Sequence, residues 1–161
     1  MNDAHWHIVV NHFPIVGAIF GLLLLITGFL LRNSTIKSTA YSLFIVVAIF
    51  SFISMSTGES AEHMLKGNVN VSRDLIHTHE ELAEKFALVS YVLGVFSLIA
   101  LVLNIKKNSK FNFISYLILV LALVLVYLSN NVGNSGGEVI HTEIRSDNPN
   151  SAPSDETVEQ K

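Results

Sequence analysis

Four uncharged stretches, at 14–31, 40–58, 86–105 and 111–129, stand out of an otherwise polar chain. Each runs 18 to 20 residues, close to the roughly 20 that an α-helix needs to cross a hydrocarbon core. A water-soluble bundle would carry a polar stripe on every helix. These stretches are apolar on all sides, and lipid offers backbone groups no partner outside the segment, so each is expected to be helical. Pro14 fits the first turn of the first helix, where its missing N–H costs nothing. Gly17 and Gly21, with Gly28 one heptad later, give that helix a face of small residues against which another helix can pack closely. The expected fold is all-α: a membrane-spanning, up-down four-helix bundle whose second and third helices extend beyond the outer face.

Composition sharpens this reading. Half of the 161 residues are apolar and 14% are charged, against about a quarter charged in a typical soluble domain; the mean hydropathy is +0.50. The absence of cysteine excludes disulfides, thiolate metal sites and covalently attached haem. A net charge of −3 gives no basic face for nucleic acid. The short connections at 32–39 and 106–110 hold Arg32, Lys37, Lys106, Lys107 and Lys110 and no acid, whereas all 13 Asp and Glu residues lie on the other side. The positive-inside rule then places both connections in the cytoplasm and both termini outside the cell (inner) membrane. The four-helix domain is expected over 1–141. Residues 142–161, polar, acidic and broken by Pro149 and Pro153, read as a disordered tail.

All seven histidines fall on the outer side: His5, His7, His12, His63, His77, His79 and His141. Glu59, Glu62, Glu80, Glu84 and Glu138 accompany them. Mixed imidazole and carboxylate is the usual donor set for zinc, iron or copper, although loops at a membrane rim collect polar residues without any function. Helical phase separates one pair. His79 falls on the stripe of Leu75, Leu82, Ala83 and Phe86 and so points into the bundle, while His77 shares the opposite face with Glu81, Glu84 and Lys85. Glu59 and Glu62 read equally as a wet helix end or as an inward pair. Glu138 and His141 have the i,i+3 spacing of di-iron bundles, but Gly133, Gly136 and Gly137 weaken the case for a helix there.

The segments HIVVNHFPI (7–15), TGESAEHML (57–65), VSRDLIHTHEELAE (71–84) and SGGEVIHTEI (135–144) together resemble a bacterial family of predicted four-helix membrane proteins, catalogued as domain of unknown function 2231. The resemblance covers the chain from His7 to about Arg145. Its matched polar positions are His12, Glu59, Glu62, His79, Glu80 and His141; Ile8 stands where the family has a proline after its first histidine. The family implies architecture and a shortlist of residues, and no reaction.

These observations lead to a transition-metal site (zinc, iron or copper) at the outer rim. Its expected ligands are His12, Glu59, Glu62, His79 and His141, with Glu80, His63 and Glu138 supporting them from behind. A b-type haem electron carrier is the alternative, opposed by the lack of any histidine within the four apolar stretches. A non-enzymatic subunit of a larger envelope or respiratory complex is a third reading. Proton translocation ranks last, since the stretches hold no residue ionisable at neutral pH. No nucleophilic triad, phosphate-binding loop or dinucleotide fingerprint occurs, so no catalytic residue is assigned.

Overall fold

The structure is a computed structural model that describes residues 3–65, 73–141 and 145, with the backbone alone for residues 3–5, 59–65 and 140. It is all-α. Helix α1 (Asp3–Val10) leads into α2 (His12–Leu30), followed by α3 (Ser34–Leu65), α4 (Arg73–Ile105) and α5 (Phe111–Ile140). Four of these are long and apolar enough to cross a membrane, counting Trp6–Leu30 as one span. At 1.5 Å per residue the 32 residues of α3 and 33 of α4 reach about 50 Å, well beyond a hydrocarbon core of about 30 Å. The tail at 142–161 falls outside the described residues apart from Arg145.

Helices α2 to α5 pack as a closed ring, each against its neighbours in sequence, with α2 and α5 completing it. Its centre holds Leu25, Leu93, Ile118 and Leu125 together with small residues: Ala18, Ala40, Ser90, Ser97, Ala100, Ser115 and Ala122. Tyr41 and Phe44 are fully buried as well, while many other large side chains lie outside: Phe20 is 58%, Phe52 64% and Phe113 73% exposed. Lipid tails are as apolar as leucine, so helices in a bilayer gain by close backbone approach and interhelical hydrogen bonds rather than by hiding large side chains. Outward phenylalanines and inward serines are the result, and they make this an integral membrane protein. Tyr41 donates a hydrogen bond to Ser115 Oγ at 2.8 Å, and Asn104 donates to Ser38 Oγ at 2.8 Å, tying α3 to α5 and to α4.

The glycines on α2 set its distance from α3. A Cβ on Gly21 would enter the Phe44 ring, and one on Gly28 would stand 2.7 Å from Lys37 Cγ and 2.9 Å from the Lys37 backbone nitrogen. The small-residue face read in the sequence is therefore the α2–α3 contact.

Three features depart from the sequence reading. The N-terminal arm is helical: Asn11 keeps α dihedrals between α1 and α2, and its N–H bonds His7 O at 2.9 Å. The helical bonding is interrupted around Asn11, where Pro14 has no N–H for the Val10 carbonyl and its ring crowds that turn. Helix α5 runs through Gly133, Gly136 and Gly137 to Ile140; packing against α4 outweighs weak propensity. The 32–39 connection is also shorter than its charges imply. α3 starts at Ser34, so Lys37 lies in its first turn and is buried, with its ammonium 5.0 Å from the Phe29 ring centre and 4.8 Å from that of Phe111.

Candidate functional site

Two imidazoles turn into the bundle at the end where α1, α3, α4 and α5 meet. His7 follows the phase of buried Val10, Pro14 and Ala18 along α1 and α2, so it faces the bundle. Its Nδ1 lies 3.1 Å from Ser54 O and 3.3 Å from Thr57 Oγ1 on α3. A carbonyl only accepts, so Nδ1 carries the hydrogen. The neutral ring then keeps an unprotonated Nε2. Gly58 gives the ring room, since a Cβ there would stand 3.2 Å from His7 Cε1.

His79 reaches from α4 to α5. Its Nδ1 is 3.0 Å from Ser135 Oγ, whose own hydrogen is given to Val132 O at 3.1 Å. Ser135 therefore accepts, His79 Nδ1 donates, and Nε2 is again left with its lone pair. Gly136 supplies the clearance here, a Cβ there falling 3.0 Å from His79 Cε1. One turn after His7, the buried Oδ1 of Asn11 finds no hydrogen-bond partner among the described residues.

The other expected ligands are distributed differently. His12 is exposed at the start of α2 and turned back on the end of α1, Nδ1 2.8 Å from Ile8 O. His141 is exposed at the end of α5, where its N–H bonds Gly137 O at 2.8 Å. Glu138 is half-buried; its carbonyl and that of Val139 accept from Arg145 at 2.8 and 3.1 Å, a cation capping a helix C-terminus. Glu80 is exposed. Glu59, Glu62 and His63 lie in α3, with side chains outside the description. His77 is exposed and pairs with Glu81 at 3.5 Å, as its outward phase implies. Among the described residues, no three His, Asp or Glu side chains come together in a metal-holding group.

His7 is the residue that the sequence reading passed over, because Ile8 departs from the family pattern. Its spacing of three, seven and eleven residues to Val10, Pro14 and Ala18 was the available signal. The hydroxyls of Thr57 and Ser135 carried none, since nothing local marks a hydroxyl that holds an imidazole from another helix. No family model, curated protein or solved structure matches the chain.

Proposed function

We propose that this chain is a multi-pass protein of the bacterial inner membrane, related to the four-helix family its motifs resemble. In this reading the histidine rim and both termini lie outside, and the rim binds a transition metal ion. The observation that carries the proposal is His79: a half-buried imidazole whose Nδ1 lies 3.0 Å from Ser135 Oγ, an anchor that leaves Nε2 to act as the lone-pair nitrogen. Fixing one ring nitrogen so that the other serves as ligand is how proteins prepare histidine for zinc, iron or copper. Glu59 and Glu62, on the α3 turns around Gly58, are candidates for an oxygen ligand. Two inward imidazoles from different helices also suit a b-type haem, which is the second reading.

Metal analysis and a visible spectrum of protein purified from membranes test this together. About one transition-metal ion per chain is expected, lost in His79→Ala and retained in His77→Ala. Protonated imidazole has no lone pair to give, so metal should leave as pH falls through roughly 6.5, the ordinary imidazole value. A Soret band would select haem. Adventitious metal alone, unaffected by His79→Ala, would end the proposal.

Orientation has its own test. A cysteine replacing exposed Ser109 should be shielded in intact cells from an impermeant reagent added outside, and one replacing exposed Glu80 should react. Reversed labelling would put the histidine rim in the cytoplasm.

A further inference from the structure

The end of the bundle opposite the histidines carries charge of one sign. Arg32 and Lys37 belong to the α2–α3 connection, and Lys106, Lys107 and Lys110 to the α4–α5 connection. Every acid in the described helices lies at the other end, in α1, the last turns of α3 and α5, or the first turns of α4. Four of the five cations are exposed. Lys37 is the exception, at 7% exposure.

Lys37 marks one place within this end. Its stem crosses Gly28 on α2, and its ammonium stands 5.0 Å from the centre of the Phe29 ring on α2 and 4.8 Å from that of Phe111 on α5. Phe29 stacks in turn on exposed Tyr116 of α5, with ring centres 5.0 Å apart. The ammonium therefore lies at the α2–α5 seam, the most thinly packed in the ring. Arg32 flanks that seam just past the end of α2, and Lys110 just before the start of α5. A ring face attracts a cation but offers no oxygen to its N–H groups. Among the described residues, the Lys37 ammonium has neither a carboxylate nor a hydrogen-bond acceptor. Three cations thus meet at one seam without an anion, and a buried charge left unpaired is costly.

The backbone points the same way. Arg32, with φ of 51°, closes α2: its N–H bonds Phe29 O at 3.1 Å, and the next N–H, of Asn33, bonds Gly28 O at 2.9 Å. That left-handed position usually belongs to glycine. Lys107, with φ of 48°, closes α4 in the same manner. Glycine would end either helix without a side-chain penalty, so the turns themselves call for no cation.

We propose that the α2–α5 seam at this end binds the headgroup of an anionic phospholipid, whose phosphate accepts from Lys37 and is balanced by Arg32 and Lys110. Basic pockets between spanning helices hold such headgroups. The neighbouring surface favours a lipid over a soluble anion. Leu30 and Leu31 at the end of α2 are 78% and 64% exposed, and Phe113 on α5 is exposed as well, so hydrocarbon contacts lie beside the charges. The site stands apart from the histidine end and does not depend on a metal there.

The test uses the full-length protein in detergent, stripped of lipid and titrated with phosphatidylglycerol or with phosphatidylcholine of the same acyl chains, with native mass spectrometry counting bound lipid. One phosphatidylglycerol per chain is expected, held about tenfold more tightly than phosphatidylcholine. Arg32→Gly and Lys37→Met should each weaken it by about fivefold. Lys107→Gly makes the same backbone change at the end of α4, on the far side of α5 from the seam, and should stay within about twofold of the parent. Both glycine variants should melt close to the parent protein, which separates loss of lipid from loss of fold. Equal weakening by Arg32→Gly and Lys107→Gly would mean a diffuse basic surface and overturn the site. Equal affinity for the two lipids would overturn it too. So would displacement of phosphatidylglycerol by inorganic phosphate at constant ionic strength, which would assign the seam to a soluble anion.

Discussion

Gly28→Leu is expected to melt about 10 °C below the parent protein in detergent, a loss of about 3 kcal/mol. A Cβ at Gly28 already meets the backbone nitrogen of Lys37 at 2.9 Å. That atom belongs to the first turn of α3, bonded to Asn33 O at 3.2 Å, and cannot yield without moving the helix. Gly17 is the control on the same face. Its Cβ would meet only Val47 Cγ2, at 2.7 Å, the tip of a side chain that can turn or shift. Gly17→Ala should therefore cost about 1 kcal/mol. Thermal unfolding followed by circular dichroism reads both. Equal melting points for Gly28→Leu and the parent would mean that α2 and α3 do not touch at this end.

Lys37→Glu should be comparably severe, for an electrostatic reason. The ammonium sits between the faces of Phe29 and Phe111, where the ring quadrupoles attract a cation with about 2 kcal/mol when water is largely excluded. A carboxylate there would face the same negative ring surfaces. Its lost hydration adds several kcal/mol to the lost attraction. Lys37→Met keeps the aliphatic stem over Gly28 and gives up only the charge, so its cost should stop near 2 kcal/mol. The order parent, Met, Glu in melting temperature is the expected result. A Glu variant as stable as the Met variant would show that the residue is solvated.

The spanning architecture was legible because it follows from one-dimensional rules. Uninterrupted apolar runs mark the spans, their lengths match the bilayer, and the small residues of α2 foretell a close neighbour. Helical phase was enough to turn His79 inward and His77 outward. What escaped depended on another helix. Lys37 reads as a charged connector residue, and only the rings of Phe29 and Phe111, contributed by α2 and α5, make a buried place for it. His12 lies in a segment that resembles a family motif, yet its partner is a backbone carbonyl one turn earlier, Ile8 O. Three glycines near the end of α5 argue against a helix by propensity, and contacts with α4 sustain one. The His7 cradle combines both difficulties: its phase was readable, but the Thr57 and Ser54 groups that fix its ring lie about 50 residues away.

The glycines near the C-terminal end of α5 carry a thermodynamic consequence. Each costs a helix about 1 kcal/mol relative to alanine, so the turns around Gly133, Gly136 and Gly137 owe their order to anchors: the His79–Ser135 bond and the Arg145 cap. Whatever immobilises the His79 ring also holds these turns closed, and whatever pulls the ring away lets them fray. By mass action, a ligand at the ring and the winding of the last turns of α5 are two sides of one equilibrium. The length of the helix would then follow the concentration of whatever binds that ring.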